Sequence, residues 1–207
     1  MSLETFQRDG YLIQRNLLSA EEVQLLSEIG RVDRDLVQQK LVRADGEGGD
    51  TELTVVNTLA EDTIYGAIVR SERIVRPMEE FLGGEVYHYH HKMILKQKRT
   101  GGAWAWHQDY GYWYSNGCLF PHMASCMIAV DRATRENGCL QVLSGSHQMG
   151  RIDHITVGEQ TGADPERMEH ILPKFERVYV EMEPGDAVFF HSNTLHRSDQ
   201  NTSEHPR

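Results

Sequence analysis

Trp104-Ala-Trp-His107-Gln-Asp109-Tyr110 is the stretch on which the reading of this chain turns. Written as a strand, it sends alternate side chains to opposite faces, so Ala105, His107 and Asp109 share one side. An imidazole and a carboxylate two residues apart can then chelate one metal ion from a single rigid strand. A lone His-x-Asp pair is a frequent accident, however, and its meaning depends on what lies around it.

Around it the pattern is that of strands and turns. Glu85–Gln97, Trp104–Tyr110, Ala124–Asp131, Cys139–Leu143, Arg177–Glu183, Asp186–His191 and Thr194–Ser198 are candidate strands, punctuated by Gly, Asn and Pro. Upstream, Ser19 and Glu22 fit a capping box, and Val23, Leu26 and Ile29, flanked by Leu25 and Val32, form an apolar stripe at helical spacing. A second helix is expected over Ser71–Leu82, kinked at Pro77 and closed by Gly83-Gly84; Gly46-Glu-Gly-Gly49 reads as a surface loop. The chain thus predicts a helical outer layer over residues 1–84 and a β core over 85–207. The fold class is mostly β with flanking α-helices, a sandwich or barrel in a single domain.

Composition narrows the function classes. Over 207 residues the formal net charge is −10, which argues against nucleic acid or an anionic membrane as partner. No apolar run approaches the ~20 residues of a membrane span, and the N-terminus lacks the basic flank and apolar core of a signal peptide. The three cysteines, Cys118, Cys126 and Cys139, are odd in number and lack CxxC spacing, which fits a reducing, cytoplasmic setting. The 11 histidines point to metal chemistry.

The third ligand has to come from far downstream, where His191 and His196 compete at the end of an apolar strand. Two histidines and one carboxylate on one face of a metal leave other positions open, as in non-haem Fe(II) oxygenases. A second cluster, Tyr87-His-Tyr-His-His91, looks solvated: His88, His90, Lys92, Ile94 and Lys96 form a polar face expected outside. Tyr87, Tyr89, His91, Met93 and Leu95 form the face expected to turn toward the barrel. Tyr110, Tyr112, Trp113 and Tyr114 either pack on the N-terminal helices or line a pocket mouth for a substrate with apolar or cationic surface. His122, His147, His154, His170 and His205 receive no role.

Four ordered motifs carry a family resemblance. His107-Gln-Asp109, Glu136-Asn-Gly-Cys-Leu-Gln-Val-Leu-Ser-Gly-Ser-His147, Pro184-Gly-Asp186 leading to His196, and Arg207 resemble the phytanoyl-CoA dioxygenase family, from Phe6-Gln-Arg-Asp-Gly-Tyr11 to the last residue. These are Fe(II)- and 2-oxoglutarate-dependent oxygenases with a jelly-roll or cupin-like double-stranded β-helix core. The resemblance implies iron on His107, Asp109 and His196, because the co-substrate arginine follows the distal histidine by the interval that separates Arg207 from His196. It implies Arg207 on the distal carboxylate of 2-oxoglutarate, with Ser198 and Met93 beside it; a guanidinium fork matches a carboxylate as lysine cannot. The implied reaction uses 2-oxoglutarate and O₂ as co-substrates, releases succinate and CO₂, and hydroxylates an unactivated C–H bond of a small molecule. Family members continue beyond the arginine into a further strand, so the resemblance also implies a missing last strand and a C-terminally truncated domain. Two other readings stay open: a non-catalytic ligand-binding β-helix protein, and a Zn²⁺ hydrolase using the same His/Asp/His site.

Overall fold

The computed structural model describes residues 2–32, 41–45, 50–56 and 63–207, of which 53–56 by their backbone alone. The Gly46-Glu-Gly-Gly49 loop lies outside the described residues. In chain order the elements are α1 (Leu3–Asp9), β1 (Tyr11–Gln14), α2 (Ala20–Val32), β2 (Leu41–Ala44), β3 (Asp50–Val56), α3 (Ile64–Val69), α4 (Glu72–Leu82), β4 (His91–Leu95), β5 (Trp104–His107), α5 (Asp109–Trp113), β6 (Ala124–Ile128), β7 (Leu140–Leu143), β8 (His154–Val157), β9 (Gln160–Ala163), α6 (Pro165–Ile171), β10 (Arg177–Val180), β11 (Ala187–His191) and β12 (His196–Ser198).

The helices start and stop where local chemistry dictates. Ser19 and Glu22 cap α2 reciprocally, Ser19 N–H to Glu22 Oε2 at 2.7 Å and Glu22 N–H to Ser19 Oγ at 3.3 Å. Val23 and Leu26 face inward from that helix, whereas Leu25 and Val32 stay exposed. Ser71 caps α4, Pro77 is accommodated inside it, and Gly83 ends it in the left-handed conformation at φ 74°.

Two antiparallel sheets make the core. One has the order β1-β11-β6, the other β10-β7-β12-β5. Strand β11 shows how alternation builds the layers: Val188 and Phe190 enter the apolar core with Leu140, Val142 and Val180 of the facing sheet. Its other face presents Ala187 and Phe189 to Phe6 of α1 and Phe81 of α4, the last two stacked at 4.1 Å between centroids. Sheet faces packed on each other and covered outside by helices give the jelly-roll architecture anticipated.

The helical reading of residues 1–84 is incomplete. Strand β1 pairs with β11, and β2-β3-β4 form a third sheet, so three strands precede Gly84. Each is a short run hidden among helical segments. Tyr11-Leu-Ile-Gln14 follows the left-handed Gly10 (φ 78°) that stops α1, and Asp50–Val56 is rich in β-branched residues. The expected strand Glu85–Gln97 shrinks to His91–Leu95. Arg207 does form backbone pairing: its N–H donates to Lys96 O at 2.9 Å, and Lys96 N–H donates to Arg207 O at 2.6 Å.

Candidate metal centre

Strands β5 and β12 are antiparallel neighbours with His107 directly opposite His196, which brings the imidazole centroids to 4.0 Å. Asp109 arrives differently from the expectation of a single strand. The chain leaves β5 after His107, and Asp109 is the first residue of α5, so a turn rather than strand alternation aims its carboxylate. Asp109 Oδ1 lies 4.0 Å from His107 Nε2 and 3.7 Å from His196 Nε2. One ligand atom from each residue falls within 4.8 Å of the others, and this is the one such group of three among the described residues.

The proton arrangement suits a metal. Each imidazole Nδ1 lies 2.8 Å from a carbonyl two residues upstream, Ala105 O for His107 and Thr194 O for His196. A carbonyl only accepts, so Nδ1 carries the hydrogen and Nε2 turns its lone pair toward Asp109. Burial, and next the neighbouring His196, pull the His107 pKa down to about 3. Burial opposes ionisation of Asp109, but His196, Lys92 and His107, with a hydrogen bond from Ser125 Oγ at 2.9 Å, hold its carboxyl below the usual range. Two neutral imidazole lone pairs and one carboxylate converging in a buried space repel each other unless a cation sits among them. The N₂O donor set fits Fe(II).

His191 lies outside this cluster. Its Nδ1 accepts the Asn193 N–H at 3.0 Å, and its ring sits by Phe6 and His147 on the α1 side. Ser198 is buried two residues beyond His196 on the same strand. Arg207 turns inward: Nη2 donates to Gly138 O at 2.7 Å, while Nε is buried without a hydrogen-bond partner. Burial pushes its pKa below the ordinary arginine value. Among the described residues no carboxylate pairs with it, so the guanidinium is available to an anionic ligand. The terminal methyl of Met93 approaches Gly30 of α2.

The facing of the 87–96 segment departs from the expected one at Lys96, Tyr87 and Leu95. Lys96 turns inward, 2% exposed, with its Nζ donating to Gly102 O and Asp199 O at 2.6 and 2.5 Å, whereas Lys92 stays exposed. His90 packs on Trp113 at 4.9 Å, and Lys92 lies 6.0 Å over the same ring. Tyr87 and Leu95 are exposed, and His91 stacks on Tyr65 of α3. Lys96 is inside because backbone carbonyls receive its ammonium, the condition under which hydropathy misassigns a residue's facing. Trp113 lies one helical turn after Asp109 on α5 and meets Tyr89, His90 and Tyr112, while Tyr110 is buried with its hydroxyl donating to Leu119 O at 2.6 Å. Trp113, four residues after Asp109, thus lies on the same side of α5 as the carboxylate-bearing residue. His90, packed on Trp113, and His154, whose Nε2 accepts the Gln108 N–H, adjoin the ligand segment without any signal in the sequence to announce it.

Comparison with known proteins agrees with this geometry. The sequence model of the family described as phytanoyl-CoA dioxygenase matches residues 6–207. L-proline trans-4-hydroxylase of Streptomyces griseoviridis is 29% identical over 98% of this chain and 81% of its own length. Ectoine dioxygenase of Bordetella parapertussis is 28% identical over 99% and 71%. Among solved structures, EctD from S. alaskensis in its apoform superposes with a TM-score of 0.83 at 23% identity, covering 99% of this chain and 72% of that one. The carbocyclase SnoK from nogalamycin biosynthesis superposes at 0.78 with 20% identity over 99% and 79%. These structural likenesses establish the shared fold. With the family match spanning nearly all of the sequence and including His107, Asp109, His196 and Arg207, the chain belongs to the phytanoyl-CoA dioxygenase family.

Proposed function

We propose that this protein is an Fe(II)- and 2-oxoglutarate-dependent dioxygenase that hydroxylates a C–H bond of a small molecule, with 2-oxoglutarate and O₂ consumed and succinate and CO₂ released. The observation that carries the reading is the convergence of His107 Nε2, Asp109 Oδ1 and His196 Nε2 within 4.8 Å, with both Nδ1 atoms held by carbonyls. When bound, iron with its co-substrates supplies the oxidising chemistry.

The chain's own residues supply geometry. Ala105 O and Thr194 O orient the imidazoles, and Ser125 Oγ fixes the Asp109 carboxylate. Arg207 pairs with the distal carboxylate of 2-oxoglutarate, with Ser198 nearby on β12 and Met93 as a more distant wall residue. Trp113 and His90 form the side of the pocket against which the substrate rests and water is excluded. The names of the relatives, an L-proline hydroxylase and an ectoine dioxygenase, support a small-molecule substrate. The net charge of −10 speaks against a nucleic-acid partner. No helix among the described residues is long and apolar enough to cross a membrane, in keeping with the cytoplasmic location we propose.

Succinate formation from 2-oxoglutarate tests the function. The metal-free protein is loaded with Fe(II) and 2-oxoglutarate without oxygen, then exposed to O₂. Iron-dependent succinate is expected from the natural protein and not from His107→Ala. Iron binding with no consumption of 2-oxoglutarate would favour a non-catalytic binding protein. Oxygen-independent turnover supported by zinc would favour a hydrolase.

A further inference from the structure

We infer that Gln108 and His154 form a positioning clamp that sets the spacing between the two metal-binding segments and thereby tunes metal affinity without touching the metal. The inference rests on the triad proposed above.

Gln108, between His107 and Asp109, is fully buried. Its side-chain Oε1 accepts the Ile152 N–H at 2.8 Å, and its Nε2 donates to Gly150 O at 3.2 Å and Asn193 O at 3.0 Å. Asn193 directly precedes Thr194, whose carbonyl holds the His196 ring. One side chain therefore ties the His107–Asp109 segment to the turn that delivers His196. The Gln108 backbone N–H is bound as well, donating to His154 Nε2 at 2.9 Å. His154 Nδ1 lies 2.7 Å from Ile152 O, which fixes its hydrogen on Nδ1 and leaves Nε2 as the acceptor. Ile152 closes the ring, giving its N–H to the Gln108 side chain and its carbonyl to His154.

Gly111 shows how closely the clamp is fitted. A Cβ on that residue would lie 1.9 Å from His154 Cε1, so only glycine lets α5 rest on the imidazole. Asp109 is thus held from both directions, through the Gln108 N–H before it and the Gly111–His154 contact after it. Without the acceptor, a buried N–H lies unpaired between two ligands and the peptide rotates to find a partner, changing the angle between His107 and Asp109. Partners of metal ligands typically change affinity 10–100-fold when removed, and the same range is expected one bond further out.

Ni(II) titration calorimetry on the metal-free protein, with melting curves of the same samples, tests the clamp. His154→Leu should bind Ni(II) roughly 10–100-fold more weakly. His154→Gln, which restores an acceptor oxygen near the Nε2 position, should recover most of the affinity. Gly111→Ala, which displaces the ring while leaving its chemistry, should weaken binding like His154→Leu and decides the matter if His154→Leu does not fold. Unchanged affinity in His154→Leu or Gly111→Ala overturns the clamp, as does equal loss in the Leu and Gln variants, which would mean a space-filling role. Asp109→Ala is the separate control: wild-type affinity there would overturn the triad itself.

Discussion

Replacing Arg207 by methionine should separate binding from stability. The guanidinium has one hydrogen bond, to Gly138 O at 2.7 Å, and a buried Nε with none. Losing the charge-assisted bond costs about 1.5–3 kcal/mol. Against this stands the desolvation of a buried, unpaired cation, worth several kcal/mol, which a methionine of similar reach does not incur. The two terms leave Arg207→Met between unchanged and about 2 kcal/mol more stable than wild type in the absence of ligand. The co-substrate response moves the other way, because losing one partner of a buried charge pair costs about 3 kcal/mol, roughly 150-fold in affinity. Thermal melting of the Ni(II)-loaded protein reads both effects. At 2-oxoglutarate concentrations about 100 times Kd, wild type gains about 2.7 kcal/mol, a shift of roughly 5–10 °C for a chain this size. The variant should show the Ni(II) shift and a 2-oxoglutarate shift of only about 1 °C. A 2-oxoglutarate shift as large as that of wild type refutes the assignment of Arg207. A stability loss above about 3 kcal/mol together with lost metal binding would show that Arg207 holds the fold instead.

Three further outcomes follow from the packing and the buried charges. Phe189→Ala should cost about 3–5 kcal/mol in urea unfolding, because the ring is fully buried and meets Phe81 edge-on at 5.7 Å. Asp186→Asn should cost about 1–3 kcal/mol, since the carboxylate accepts from Asn16 N, Glu183 N and Arg15 and an amide cannot serve all three. Burial works against the Asp186 charge, but those donors hold its pKa below 3.8, so its stabilisation is present above that pH and fades as pH falls further. Burial lowers the pKa of His90 and of His191 from 6.5 to about 4, so the unfolded chain takes up these protons first. The urea midpoint should therefore decline as pH falls from 6.5 toward 4; a midpoint constant over that window contradicts the burial of these rings.

Much of this fold is legible in the sequence because its signals are local. Ser19 with Glu22, Ser71 with Gly83, and the apolar run Ala187–Phe190 are each settled by neighbours a few residues away. What escaped was set at long range. Tyr11–Gln14 is a strand because β11 offers it an edge 170-odd residues later, which no window around Tyr11 reveals. The inward facing of Lys96 follows from the backbone carbonyls that receive its ammonium, whereas hydropathy assumes an apolar interior. Asp109 was placed on a strand because alternation and a tight helical turn can both bring an H-x-D pair onto one point. The His154–Gln108 bond joins residues 46 positions apart, with nothing in either neighbourhood to announce it. In the site, residue types and spacing made the ligands legible, while their supporting contacts were visible only in the folded chain.

Iron content after anaerobic loading tests the central claim most directly, since everything else depends on which side chains hold the metal. The protein and its His191→Ala and His196→Ala variants are each loaded with excess Fe(II), desalted without oxygen, and assayed colorimetrically for bound iron. The geometry predicts about one iron per chain in the natural protein and in His191→Ala, and about a tenth of that or less in His196→Ala. Iron retained by His196→Ala, or lost from His191→Ala, would contradict the assignment of the His107, Asp109 and His196 centre.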